Sequence, residues 1–363
     1  MKRRILAMIL GLAMVLSMAA CAGNNDETIK PGEPLAETTE AGPEVGIETT
    51  GDATVQETTA DVSADPVPGH IRIGSLKGPT SMGLVQLMSQ AELDATTNTY
   101  TFTMAAAADE INTALIKGDL DIVLIPANVA SVLYNKTGGE VVVLNINTMG
   151  VLYILEYGET IQSVKDLAGR TIYLPGKGTT PDYALQYLLS QNGLTTEDVD
   201  LQYKSEGAEV IAALAQDKNA IGLLPQPAAT VATVQNEGLR IALDLTAEWD
   251  KVSEDGGLLT GVTLVRKAFL QENPGAIQLF LEDHLVSTNY TNENVAEAAQ
   301  MVADLGIVPK APIAVKAIPY CNIVSITGTE MKEALSGYLG VLAGQNIKAI
   351  GGALPGEDFY YIP

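Results

Sequence analysis

Side chains that do chemistry are scarce in this chain. Histidine occurs twice, as His70 and His284, and cysteine twice, as Cys21 and Cys321, in 363 residues. His70 opens a strand-like run and His284 sits mid-helix between Asp283 and Leu285. Both read as structural. No Gly-x-Ser-x-Gly elbow accompanies them, so a Ser-His-Asp nucleophile is not supported. No His/Cys cluster has metal-ligand spacing, and no metal or cofactor is expected. Lys136-Thr137-Gly138 matches one piece of the penicillin-binding set, whose other motifs are missing. Gly176-Lys177 is followed by Gly178 where a phosphate loop needs Ser or Thr. The chain is therefore expected not to be an enzyme.

Positive charge is also in short supply. Twenty-one Lys and Arg stand against 44 Asp and Glu, for a net −23. An acidic surface of this kind argues against nucleic acid and anionic lipid as partners. With two cysteines, one of them at position 21, no disulfide is expected, and Cys321 reads as a small buried hydrophobe. The apolar run Ile5–Val15 is short for about 30 Å of hydrocarbon.

That run belongs to a different pattern. Lys2, Arg3 and Arg4 precede it, and Ser17, Ala19 and Ala20 follow, then Cys21. A basic start, an apolar middle and small residues before a cleavage point make a secretory signal. Cys21 directly after Ala19-Ala20 resembles the lipobox of bacterial lipoproteins. This implies residues 1–21 as signal peptide, with lipid on Cys21 and the mature chain anchored on the extracytoplasmic face of the membrane. Residues 22–68 contain no Phe, Tyr or Trp and are rich in Thr, Glu, Ala, Pro and Gly. Such a stretch cannot bury enough surface to offset its ordering entropy and reads as a disordered tether. A coil of this length reaches on the order of 40 Å.

From His70 the pattern becomes α/β. Strands are expected at 71–76, 100–104, 121–125 and 141–144, and helices at 81–91, 109–117 and 129–134. Alternation with fully apolar strands argues for a mostly parallel sheet covered on both faces. A second unit is placed near Tyr157. It has a short capped helix after Ser163, a strand at 171–174, and a helix started by Thr180-Pro181-Asp182 and stopped at Asn192-Gly193. Helices at 208–217 and 227–236 flank a strand at 220–224. A strand at 260–265 and helices at 274–290, 293–304 and about 330–342 complete the chain.

Four strand-to-helix junctions share one grammar: 76–81, 125–128, 174–181 and 224–227. Each ends an apolar strand, turns on Pro or Gly, and enters a helix through a polar residue. Ligands of open α/β sheets sit outside the carboxyl ends of the strands, where helix starts present free N–H groups. Ordinary caps would look the same at any single junction; four together point to a shared binding face.

At these junctions the sequence resembles a type II solute-binding protein of ABC importers. The nearest group is the nitrate, sulfonate/taurine and thiamine-precursor family. The carriers are IRIGSLKGPTSMGLVQLM, INTALIKGDLDIVLIPANVA, SVKDLAGRTIYLPGKGTTPDYALQYLLSQNGL and GVTLVRKAFLQENP, over about 70–310. The resemblance implies a type II periplasmic-binding-protein fold with two lobes, a hinge and an interlobe cleft. Lobe 1 would span 69–155 and 255–363, and lobe 2 would span 156–254. The implied ligand contacts are Lys77, Pro79, Thr80, Ser81, Asn128, Gly178, Thr179 and Thr180, with Gln226 at the fourth junction. Many members carry Glu-Pro where this chain has Gln226-Pro227, a change that tells against a cationic or amine-bearing ligand there. The implied function is capture of a small polar or anionic organic molecule by hinge closure, as a monomer that delivers to a membrane permease. Rival classes are an enzyme on the same fold, related to the thiamine precursor, and a surface sensor ectodomain.

Two expectations concern the third junction. Thr180 should be the helix N-cap, leaving Thr179 free for ligand. The stretch 178–180 should face Lys77–Ser81 across the cleft.

Overall fold

A computed structural model describes residues 66–105, 108–253 and 256–363. The signal peptide, Cys21 and nearly all of the tether lie outside the described residues. Two sheets carry the fold. The first uses β1 (His70–Leu76), β2 (Thr99–Ala105), β3 (Ile122–Pro126), β4 (Val141–Met149), β10 (Leu259–Arg266) and β11 (Ile323–Ile326). The second uses β5 (Leu152–Tyr157), β6 (Thr171–Pro175), β7 (Asp200–Lys204), β8 (Ile221–Pro225) and β9 (Leu239–Asp244). In the first half the helices are α1 (Pro79–Met82), α2 (Val85–Glu92), α3 (Ala108–Lys117) and α4 (Ala127–Thr137). The middle holds α5 (Thr180–Gln191), α6 (Gly207–Gln216), α7 (Ala228–Gln235) and α8 (Leu245–Asp250). The last are α9 (Lys267–Glu272), α10 (Pro274–Glu293), α11 (Val295–Asp304), α12 (Ala311–Ala317) and α13 (Gly328–Gln345).

Strand order is β11-β4-β10-β3-β1-β2 in one sheet and β7-β6-β8-β5-β9 in the other. Without the edge strand β11, the two orders are the same pattern. Each sheet has a parallel set (β2-β1-β3 and β7-β6-β8) followed by one antiparallel strand, β10 or β5. Each antiparallel strand is donated across a crossover. The chain leaves the first sheet between Met149 and Leu152 and returns between Asp244 and Leu259.

Apolar runs are continuous because both faces of each sheet are covered. On β3, Ile122 and Leu124 face one cluster with Leu84, Leu87 and Phe280, while Val123 and Ile125 face the other with Leu133 and Leu335. On β5, Tyr153 and Leu155 pack with Val210 and Ala229, and Ile154 joins the same cluster as Val123. One apolar cluster thus runs through both sheets, by way of Leu245, Trp249, Leu258 and Tyr338.

The expected helix at 81–91 is two helices. Gly83 separates them, and a Cβ there would lie 3.1 Å from both Ile323 and Thr288. This close approach fixes the break. Cys321 is fully buried and its thiol donates to the Ala317 carbonyl, as a small hydrophobe would sit. His284 is equally buried, against Asn145 and Ser325, and burial pushes its pKa down to about 4. No described helix is long and apolar enough to cross a membrane.

Candidate functional site

The starts of α4 and α5 come together although they belong to different sheets. Thr180 Oγ1 donates to Asn128 Oδ1 at 3.4 Å, and Asn128 Nδ2 reaches the Ala349 carbonyl at 3.4 Å. Both contacts are long for hydrogen bonds and leave these groups weakly engaged. Next to them lies the Tyr338 hydroxyl, carried by α13, fully buried and without a hydrogen-bond partner. Burial raises the Tyr338 phenol well above its ordinary pKa, and the Thr180 hydroxyl beside it offsets part of that rise. An unpaired buried hydroxyl costs free energy unless something supplies its bond.

The turn before α5 is held rigidly. Asp182 is buried, and its carboxylate accepts Gly178 N at 2.7 Å, Gln186 Nε2 at 2.7 Å and Tyr203 OH at 2.8 Å. Burial and the bond to Asp182 both raise the Tyr203 phenol. Gly176 and Gly178 have φ of +71° and +73°, a conformation that suits glycine. Lys177 Nζ lies 5.1 Å over the Tyr203 ring. Tyr203 belongs to β7 of the same sheet.

The helix cap is one residue earlier than expected. Thr179, not Thr180, is the N-cap of α5: its carbonyl accepts Tyr183 N, and its hydroxyl turns back to the Gly176 carbonyl. Thr179 is exposed, and Thr180 makes the contact between sheets. The reason is the pinned turn, which starts the helix one residue earlier.

The hydroxyls of the first junction are bonded within their own loop. Thr80 Oγ1 donates to the Leu76 carbonyl at 3.1 Å, and Ser81 Oγ donates to the same carbonyl at 2.5 Å and lies 2.6 Å from Ser75 Oγ. Both hydroxyls serve their own loop. Pro79 begins α1 and offers no donor. Lys77 is exposed, with Nζ beside Gly306. Among the described residues no hydrogen bond joins Lys77–Ser81 to 178–180; the partner of Thr180 is Asn128. Thr80 instead packs on β10, where a Cβ at Gly261 would meet it at 2.6 Å.

At the fourth junction Gln226 is buried, 1% exposed. Its backbone N donates to Val151 O at 2.9 Å, which ties it to the crossover. Oε1 accepts Thr230 N at 3.2 Å and Thr230 Oγ1 at 2.8 Å. Nε2 has no partner. Thr246 and Thr260, at the return crossover, likewise hold unpartnered hydroxyls. Sequence reasoning missed Tyr338, Thr246 and Thr260. Met331, Leu335, Tyr338 and Leu342 form the buried stripe of α13, so the tyrosine reads as ordinary core.

A family model described as the periplasmic substrate-binding protein of a phosphonate ABC transporter matches residues 90–256. The chain has the fold of the ABC-transporter solute-binding proteins. An ABC transporter structure from Parabacteroides distasonis is 24% identical, with TM-score 0.69, covering 81% of this chain and 98% of that one. The periplasmic aliphatic sulphonate binding protein SsuA from Escherichia coli is 20% identical, with TM-score 0.65, covering 78% and 94%. The alkanesulfonate-binding protein SsuA from Xanthomonas axonopodis pv. citri, bound to MOPS, is 17% identical, with TM-score 0.59, covering 82% and 98%. No curated protein matches by sequence. Among the described residues no group of His, Cys, Asp and Glu is placed to hold a metal.

Proposed function

We propose that this protein is a lipid-anchored, extracytoplasmic captor of a small polar or anionic organic solute, serving an ABC importer. The family match and the solute-binding-protein fold support the importer role. The observation that carries the capture role is the polar seam between the sheets. Asn128 and Thr180 meet there loosely, and the buried Tyr338 hydroxyl beside them lacks a partner. A ligand entering the seam satisfies groups that the protein leaves unsatisfied, which is a gain specific to binding.

The two sheets act as lobes, and the crossovers at 149–152 and 244–259 act as the hinge. Closure brings the starts of α4 and α5 onto one solute. Both helices exceed two turns, so their positive ends favour acceptor-rich groups. Asp182 already occupies part of that field at α5, which leaves the Thr180 hydroxyl as its main contact. Gly178 shapes the turn, while Thr80 and Ser81 shape the opposite wall. Cys21 carries the lipid, and the protein acts as a monomer on a permease.

Full-length protein extracted in detergent and analysed by native mass spectrometry tests the capture role. One small molecule should leave the protein intact on denaturation, and Thr180→Ala should lower its occupancy. Chemical turnover of that molecule by the purified protein would refute the reading.

A further inference from the structure

Strand β11 has no counterpart in the second sheet. Its antiparallel pairing with β4 reaches Thr148 and goes one step further, where Met149 N donates to the Asn322 carbonyl at 3.0 Å. Met149 ends β4, so this bond lies where the chain leaves the first sheet. The residues just before β11 then reach across the crossover. Asn322 Nδ2 donates to the Gly150 carbonyl at 2.5 Å. Tyr153 OH, on β5 of the second sheet, donates to the Tyr320 carbonyl at 2.9 Å, and the two tyrosine rings meet edge to face with centroids 6.2 Å apart. Residues 320–322 are thus bonded along the stretch 149–153, from one sheet into the other. Their own anchor is in the first sheet's helices: Cys321 is fully buried in a cluster with Val302, Ala314 and Ile318. Asn322 holds φ +44°, the left-handed region that asparagine tolerates better than most residues. On its other side Gly150 has no room, since a Cβ there would lie 2.2 Å from Thr246 Oγ1 in the return crossover. Both crossovers and residue 322 therefore meet at Gly150.

We infer that residues 320–322 are a third element of the hinge, and that Asn322 is a positioning residue that fixes the resting angle between the two sheets. The inference rests on the reading of 149–152 and 244–259 as hinge crossovers. Two covalent crossovers leave the sheets free to rotate about them. A clasp anchored in the first sheet and bonded on to β5 opposes that rotation at the pivot, where a small displacement at Gly150 becomes a large one at the far ends of the sheets. Asn322 acts on solute only through the population of the arrangement that binds it, because apparent affinity falls with that fraction.

The test needs no solute. The full chain in detergent carries spin labels at two exposed positions, Glu92→Cys in the first lobe and Glu197→Cys in the second, and double electron–electron resonance reads the distance between them. Cys321 is fully buried and takes no label, and the parent chain without the two new cysteines supplies the background. The otherwise unaltered protein should give one narrow distance. Asn322→Asp keeps the size and the tolerance of a left-handed backbone, but sets an acceptor against the Gly150 carbonyl. Distances outside the resting peak should then rise about 2- to 10-fold, as for the loss of one hydrogen bond. Tyr153→Phe removes the bond to Tyr320 with little risk to the fold and should act in the same direction. An unchanged distribution in both variants, at unchanged melting temperature, overturns the inference. So does broadening in Asn322→Gly alone, which would trace the effect to a looser backbone and not to the amide. The hinge reading is checked separately by osmotic stress with polyethylene glycol, which favours the more compact arrangement. A distance that shortens under it while the clasp variants match the parent leaves the hinge standing without the clasp. A distance that moves in neither parent nor variants overturns the hinge reading, and the inference with it.

Discussion

Trp249 is the only tryptophan in the chain and is fully buried between α5 and α13. Its ring centroid lies 4.3 Å from Tyr187 on α5 and 6.0 Å from Tyr338 on α13, and Nε1 donates to the Gly256 carbonyl at 3.0 Å. Trp249→Ala should cost about 3–5 kcal/mol, since the surrounding helices cannot collapse onto the void. Trp249→Phe keeps a ring between the two tyrosines and loses the indole bond. Gly256 O still receives Ser253 Oγ at 3.3 Å, so it is not orphaned and the bond itself counts for about 1 kcal/mol. The smaller ring adds a partial cavity, for a total of about 2–3 kcal/mol. Domains are stable by about 5–15 kcal/mol, so the alanine variant should unfold at a much lower urea concentration. Far-ultraviolet circular dichroism must be the assay, because the variants have no tryptophan to fluoresce. A Trp249→Ala protein within 1 kcal/mol of the parent would refute the view that this stack braces α5 against α13.

Asp121 is 1% exposed and is bound by Arg72 and Arg266 at 2.6 Å each. Burial alone would raise its pKa, but the bonds from the Arg72 side chain and backbone and from Arg266 outweigh burial and hold it below the ordinary value. Its contribution is therefore complete above the unfolded value of about 4 and is lost as pH falls through the lower folded value. Asp121→Asn should flatten the acid limb of the stability curve and cost about 2–4 kcal/mol at neutral pH, discounted because both arginines are partly exposed; an unchanged acid limb by chemical denaturation would contradict this. Thr180→Ala should weaken solute binding about 5-fold or more, while Thr179→Ala should spare it and lower the melting temperature slightly; titration calorimetry showing the reverse order would restore Thr179 as the contact. Cys21→Ser should abolish incorporation of a labelled fatty acid, and a labelled variant would remove the anchor from the proposal.

The legible parts of this protein are those decided within a few residues. Ile122–Pro126 reads as a strand because both its faces are apolar, and Asn192-Gly193 stops α5 as any such pair would. Strand β5 was hidden because only Gly150 and Val151 separate it from β4, so one apolar run passes through two sheets. Strand β7, DLQYK, is an edge strand with alternating exposure and too few apolar residues to announce itself. The candidate site follows the same division. Asn128, Thr180 and Gln226 were visible because a polar residue after an apolar strand and a proline marks a helix entry. Nothing local could show that the Thr179 hydroxyl would be consumed by Gly176, since that depends on Asp182 reaching back to Gly178. Tyr338 lies far along the chain from Thr180, on a helix whose other buried residues are apolar. Its hydroxyl becomes significant only when α13 is laid against α5. A buried tyrosine in a helical stripe is packing until its oxygen is found at a polar seam with nothing to bind. The same holds for Gln226, whose sequence position marks a junction but whose free NH2 is defined only by where Thr230 stands.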